Sequence, residues 1–257
     1  MKINQAFTIL SNAGGIRAAR IITDYYKKMS WFRVWCTARM LRRDVPVAKI
    51  IGQKWFYGLS FYTNMHTLDP RPDTETLVAA VISDCGASVH APKILDLGTG
   101  TGCIIISLVK NIHDASGTAV DISRRALRIA RKNIETHGLG GRINTKRASF
   151  NEEINFADKF DMIVSNPPYI AHGDSRVDAG AMHDPECALY ASDDGFAAYD
   201  AIAKNARAWI KRGGKIYLEI GIGMGPRVAE IFENYKWKFI RSECDLSGTE
   251  RVLVFSK

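Results

Sequence analysis

The run Asn166-Pro167-Pro168-Tyr169 carries residue types that can hold a planar nitrogen for attack on an electrophile. Asn166 offers a side-chain carbonyl, and Pro167 a backbone carbonyl with no N–H of its own to compete, so two acceptors can take both hydrogens of an NH₂ group. The nitrogen lone pair, otherwise conjugated, is then aimed at the electrophile, while Tyr169 can stack on a planar base or amide or cover its alkyl arm. Catalysis of this kind is mostly alignment assisted by desolvation, so no strong general base is required, and none is evident beside the run. Taken alone, the four residues read equally well as a structural turn with a solvent-facing Tyr. Their setting favours chemistry: residues 160–165 read as a strand entering the run directly, and two prolines forbid its continuation. The loop is thereby held at the carboxyl edge of a sheet, where open α/β sheets bind ligands.

A second constellation lies upstream, Leu95-Asp96-Leu97-Gly98-Thr99-Gly100-Thr101-Gly102. Its glycines suit a strand that turns sharply into a helix, because a Cβ there would keep a nucleoside ligand away from the amides at the helix start. Asp121 ends the following strand 21 positions after Gly100, and an acid so placed accepts hydrogen bonds from two ribose hydroxyls. A lone Gly-x-Gly is a weak signal, but strand, glycine loop, helix, strand and acid together form a nucleoside-cofactor signature. The dinucleotide fingerprint needs a third Gly where Cys103 stands, which disfavours NAD and FAD, and no phosphate-loop sequence occurs. The stretch from Asp96 to Gly102 resembles the first motif of class I S-adenosylmethionine-dependent methyltransferases.

The elements that must position these loops alternate along the chain. Strands are expected near 94–97, 118–122, 143–147, 161–165, 215–221 and 251–255, with helices at 102–110, 123–137 from a Ser123 cap, 197–210 and 226–232. Such alternation predicts an α/β fold, a doubly wound Rossmann-like sheet covered on both faces. Ahead of it, Asp73-Thr74-Glu75 opens a helix through Ile82, and the aromatic run Trp55 to Tyr62, broken by Gly58, suggests a β-hairpin. Residues 3–40 read as two or three short helices interrupted at Asn12–Gly15 and near Ser30, with Trp31, Phe32 and Trp35 suited to a small core. The expected organisation is a helical domain over 1–45, a hairpin linker over 46–68 and a catalytic domain over 69–257.

Composition narrows the function classes. The 257 residues are 46% hydrophobic and 24% charged, which excludes a fibre, a disulfide-stapled mini-protein and wholesale disorder. The net charge of +8 is lopsided: residues 1–60 carry 11 basic and 2 acidic residues, so the remainder is close to neutral. Basicity therefore speaks for partner recognition by the N-terminal quarter, not for nucleic-acid binding by the whole chain. Arg33, Arg39, Arg42 and Arg43 with Trp31 and Trp35 would also suit RNA, although a solvated helix face is the blander reading. Cys36, Cys85, Cys103, Cys187 and Cys244 are scattered without metal-ligand spacing, so no metal is expected and cytosolic thiols are. No apolar run is long enough to span a bilayer; the Arg-rich, acid-poor start also fits a mitochondrial transit peptide, but helical apolar spacing favours a folded segment. Glu75 and Glu219 read as a helix-start carboxylate and a strand-end ion-pair partner, and His172 as a solvated loop residue.

The motifs taken together resemble the HemK/PrmC family of release factor glutamine methyltransferases over essentially the full length. The resemblance is carried by residues 46–52, Phe56-Tyr57-Gly58-Leu59, Pro70-Arg71-Pro72-Asp73-Thr74-Glu75, the glycine loop, Val120–Ser123, Ser165–Ile170, Leu218–Gly221, Asp245–Gly248 and Arg251. It implies methyl transfer from S-adenosylmethionine to the amide of the Gln in the Gly-Gly-Gln loop of peptide chain release factors. Gly98, Thr99, Gly100, Thr101 and Gly102 would surround the methionine part of the cofactor, Asp121 would bind ribose, and Ser149 would lie at the adenine. Asn166 would lie near both ligands, and Asn166, Pro167, Pro168 and Tyr169 would grip the glutamine, with Asn166, Pro167 and Tyr169 catalytic. The helical domain would contact the release factor. A cytoplasmic monomer without stable nucleic-acid or membrane binding is expected. The alternatives are an adenine amino-methyltransferase acting on RNA or DNA and a ribosomal-protein glutamine methyltransferase. Against relatives, Ala148 and Ser149 replace an acid and a stacking residue beside the adenine, lowering the expected affinity. Lys49 stands for a common Tyr, Asp69 for an aliphatic residue, Asp184-Pro185 for Glu-Pro and Met224 for Gln.

Overall fold

Apolar residues at helical spacing and one Gly-Gly break shape the N-terminal segment. In the computed structural model, which describes residues 1–85, 91–174 and 180–257, α1 spans Ile3–Tyr26 and bends at Gly14-Gly15, with Gly15 at φ +85°. A Cβ on Gly14 would meet the Leu41 side chain at 2.8 Å, so the glycine lets α1 approach α2 (Trp31–Leu41) closely. Ser30 caps α2 by accepting from the Arg33 N–H at 3.2 Å. The buried face of α2 is Val34, Ala38 and Leu41, packed on Ala6, Leu10, Ala19 and Ile22. Trp31, Phe32 and Trp35, expected in this core, are instead 62%, 72% and 50% exposed. Phe32 and Trp35 lie round the helix from the line of Val34, Ala38 and Leu41, whereas Trp31 falls near the Ala38 side of that line but is the first residue of the helix. The helix α3 (Val47–Ile51) packs on the same cluster.

A hairpin of β1 (Gln53–Phe56) and β2 (Leu59–Tyr62) follows, and its Phe56 and Phe61 are buried in the main core. Asn133 anchors this hairpin. Its Oδ1 accepts from the Tyr62 N–H at 2.8 Å, and its Nδ2 donates to the carbonyls of Tyr62 at 3.0 Å and Thr101 at 2.8 Å, so one side chain ties the hairpin to the glycine loop.

Then come α4 (Glu75–Cys85), β3 (Lys93–Leu97), α5 (Cys103–Asn111), β4 (Ser116–Asp121), α6 (Arg124–Thr136), β5 (Ile143–Arg147) and β6 (Phe160–Ser165). After β6 a short parallel pair, β7 (Ile170–Ala171) with β8 (Tyr190–Ala191), brackets α7 (Glu186–Leu189); α8 (Ala197–Trp209), β9 (Ile210–Glu219), α9 (Gly225–Asn234), β10 (Lys238–Cys244) and β11 (Glu250–Ser256) complete the chain. The seven-stranded sheet has the order β10-β11-β9-β6-β3-β4-β5, with β11 antiparallel to both its neighbours and the others parallel. Buried side chains cover both faces, which matches the doubly wound expectation. The chain leaves β3 toward β4 and β5, then returns to β6 on the other side. The carboxyl ends of β3 and β6 therefore form the switch point at which such sheets open a crevice. Edge strand β10 was not expected from the sequence: its residues are exposed or half-buried and give no alternating pattern. No helix among the described residues is long and apolar enough to cross a membrane.

Candidate active site

The glycine loop leaves β3 and is pinned by its own backbone: the N–H groups of Gly98 and Thr99 both donate to the Val120 carbonyl at 2.9 Å. Gly98 and Gly100 have φ of +74° and +55°, and a Cβ on Gly98 would meet nothing within 4 Å, because that side opens into a cleft. Gly102 serves packing instead, since a Cβ there would crowd Ile106 at 3.1 Å and Ala130 at 3.5 Å. Thr99 and Thr101 are buried, turned away from the cleft, and Thr99 donates to Asp96 Oδ2 at 2.5 Å. Burial pushes the Asp96 carboxyl up to about 7, against the lowering effect of the Thr99 bond. Asp121 accepts from the Gly100 N–H at 2.9 Å and the Ser123 N–H at 2.8 Å, which ties the strand-end acid to the glycine loop.

Gly98, Gly100, Asp121, Ser149, Phe150 and Asn166 line a cleft of about 320 Å³, roofed by His66, Thr67 and Leu68 from the linker. Its size suits a small cofactor. A carboxylate at the strand end, a glycine cradle that side chains would fill and an apolar wall fit a nucleoside with hydroxyls to be held. Among the described residues no cluster of His, Cys, Asp and Glu could hold a metal.

The second loop leaves β6 beside the first, and Ser165 Oγ donates to the Leu97 carbonyl at 2.7 Å, joining the two strand ends. Room for the loop is made by glycines. A Cβ on Gly221 would meet the Tyr169 ring at 3.0 Å, and one on Gly195, at φ +93°, would run into the Tyr169 carbonyl. Arg71, Asp73, Asn166, Pro167, Tyr169 and Glu219 line a second cleft of about 370 Å³. Pro168 faces the first cleft, whereas Leu68, Asn166 and Ala188 line both. Burial and the nearby Glu219 carboxyl push the Tyr169 phenol up to about 12, so its hydroxyl stays protonated.

Glu219 is 2% exposed, and its Oε2 has no hydrogen-bond partner. The expectation of an ion-pair partner is corrected: Arg251 pairs with Asp73 at 3.1 Å and Asp245 at 2.8 Å, while Glu219 faces the cleft beside Asn166 and Thr74. Glu75, in the first turn of α4, reaches across to the hairpin turn and accepts from the Tyr57 N–H at 2.8 Å, and His172 stacks on Tyr190 with ring centroids 5.2 Å apart.

A buried ion cluster holds the walls of both clefts together. Lys49 Nζ, fully buried, lies 2.6 Å from Asp184 and 3.2 Å from Asp69, and it also donates to the carbonyls of Asn64 at 2.9 Å and Thr67 at 2.6 Å. Arg71 reaches Asp184 at 3.0 Å. Lys49, Asp69 and Asp184, three unconnected peculiarities of the sequence, thus form with Arg71 one charge-balanced group of two cations and two carboxylates behind Thr67, Leu68 and Pro185.

The family model "Methyltransferase small domain" matches residues 72–183, which hold the glycine loop, Asp121 and Asn166–Tyr169. In fold, the chain is similar to a methyltransferase from Pyrococcus furiosus, with a TM-score of 0.57, 18% identity and coverage of 86% of this chain and 98% of that one. A "Bifunctional methyltransferase" of Rickettsia typhi is 39% identical over 82% of this chain, which spans only 44% of that protein's length. The "Release factor glutamine methyltransferase" of Streptococcus pneumoniae is 41% identical over 84% of this chain and 76% of its own. On likeness of that level and extent, the chain belongs to the release factor glutamine methyltransferase family.

Proposed function

We propose that the protein transfers a methyl group from S-adenosylmethionine to the side-chain amide nitrogen of the Gln in the Gly-Gly-Gln motif of peptide chain release factors, as a cytosolic monomer. The observation that carries this reading is that Asn166 stands in the wall shared by the two clefts at the switch point. A group held there touches both a cofactor and an acceptor. When bound, the sulfonium cofactor supplies the activated methyl. Gly98 and Gly100 make room for it, Asp121 accepts from its ribose hydroxyls, and Ser149 with Phe150 flanks its base. Phe150 gives this wall the aromatic ring that Ala148 and Ser149 lack.

On the acceptor side, the Asn166 side-chain carbonyl and the Pro167 backbone carbonyl each take one hydrogen of the glutamine NH₂, which aims the nitrogen at the first cleft. Tyr169, neutral and held in place by Gly221, covers the alkyl arm. The remaining task is alignment, and the proton passes to solvent in the open cleft after transfer, when the methylated nitrogen is strongly acidic, so no general base is assigned. The exposed Trp31, Phe32 and Trp35 with the arginines of α2 offer the release factor a basic, aromatic surface.

Replacing Asp121 by Ala raises the cofactor Kd by roughly 10- to 100-fold, the value of one or two hydrogen bonds to a charged group, and leaves turnover at saturating cofactor within a few-fold. Calorimetric titration and initial rates check the two parts separately. The function itself is tested by incubating the protein with methyl-labelled cofactor and either a release factor or tRNA, rRNA and DNA. Label on the Gly-Gly-Gln peptide, located by mass spectrometry, is the expected result. Label confined to nucleic acid would instead establish adenine as acceptor, and label on ribosomal protein alone a different glutamine.

A further inference from the structure

Three side chains from distant parts of the chain meet at the back of the acceptor cleft. Asn166 Nδ2 donates to Thr74 Oγ1 at 3.2 Å, and Glu219, which lines the same cleft as Asn166, is 2% exposed with a carboxyl Oε2 that has no hydrogen-bond partner, within reach of the Thr74 hydroxyl to influence its protonation. A carboxylate only accepts hydrogen bonds, and a hydroxyl has one hydrogen to give. If Thr74 donates to Glu219, it can only accept from Asn166, so the Asn166 NH₂ must turn inward. We propose, resting on the function assigned above, that Glu219 and Thr74 are positioning residues that fix the polarity of the Asn166 amide and present its carbonyl to the acceptor nitrogen.

Protonation of Glu219 reverses the chain of donors. The carboxyl O–H then donates to Thr74, the Thr74 hydrogen is released toward Asn166 Oδ1, and the amide turns its NH₂ to the cleft, where it opposes the NH₂ of a substrate. Burial pushes Glu219 up to about 7, against the lowering effects of Thr74, Arg251 and Asn166 and with the Asp73 carboxylate adding to the rise. The other titratable groups near it are Tyr169, Tyr199, whose hydroxyl donates to the Glu219 backbone carbonyl at 2.9 Å, and Cys103, all held protonated by burial. The carboxylate form is populated above that value, so turnover falls as pH drops through about 7.

Two measurements test this. Turnover between pH 6 and 9 should show that inflection in the wild type. Glu219→Gln should flatten it and lower kcat at pH 8.5 by roughly tenfold or more, with the cofactor Kd within about twofold. Thr74→Val should behave similarly, and Thr74→Ser, which restores the hydroxyl, should retain the inflection. Independently of activity, the side-chain NH₂ signals of Asn166 in an ¹⁵N spectrum should titrate near neutral pH in the wild type and not in Glu219→Gln. A Glu219→Gln profile that keeps the wild-type inflection, or Asn166 signals insensitive to pH, overturns the assignment. Titrating signals without any methylation of a release factor uphold the device and overturn only the substrate.

Discussion

Replacing Asn166 by Ala lowers turnover by about 100- to 1,000-fold and changes the cofactor Kd by less than about threefold. The asymmetry follows from position. Of the two carbonyls available to the acceptor NH₂, one belongs to the Pro167 backbone and survives any side-chain change, so the acceptor still enters the cleft. With only one hydrogen held, the nitrogen rotates and its lone pair is no longer aimed. Misalignment costs rate, because alignment is the main contribution a site without a general base can make. The cofactor keeps Asp121 and the glycine cradle, neither of which touches Asn166 through a hydrogen bond. Asn166→Asp is expected to fail as well, since a carboxylate cannot donate to Thr74 and would stand beside Glu219. Single-turnover rates with a release-factor substrate, set beside calorimetric binding of the cofactor, decide the matter; parallel losses in both constants would remove Asn166 from the acceptor role.

The second large effect falls on stability. Among the described residues, Lys49→Met removes the one cation that touches Asp69 and leaves Asp184 with Arg71 alone, so two buried carboxylates lose the charge that offsets most of their desolvation. The expected cost is about 3–5 kcal/mol, read from urea unfolding at neutral pH. Adding Asp69→Asn should recover about 1–2 kcal/mol, because one stranded charge is then gone. The Thr63 hydroxyl, which donates to Asp69 at 2.5 Å, can serve the amide oxygen as well. A Lys49→Met protein as stable as the wild type would show that the cluster contributes nothing net.

These two residues also mark where sequence reading succeeds and where it stops. Asn166 was legible because its chemistry is local: the strand, two prolines and an aromatic residue lie within ten positions, and backbone rules dictate what such a run can do. Asp121 was legible for the same reason, through a glycine loop and a strand end. Lys49, Asp69 and Asp184 were visible only as three separate departures, because nothing in a linear reading brings positions up to 135 apart into one contact. Thr74 and Asn166, 92 positions apart, meet for the same nonlocal reason. Glu219 was misread because a strand-end acid usually finds a cation, and only the fold shows Arg251 engaged elsewhere. The α2 aromatics were placed in a core because apolar residues favour burial, whereas a helix as short as Trp31–Leu41 has one buried face, here already filled.

The three hydrogen bonds of Asn133 couple places that share no ligand. Because Tyr62 and Thr101 hang on one side chain, the hairpin and the glycine loop should open to solvent together as a single cooperative unit. Cofactor in the first cleft stabilises that unit by mass action, so the Tyr62 amide should exchange its hydrogen more slowly when cofactor is added, although it lies outside the cleft lining. In Asn133→Ala that protection should vanish while the glycine loop keeps its own. The segment preceding the catalytic sheet would then sense an occupied cofactor site through rigidity alone, with no change of shape.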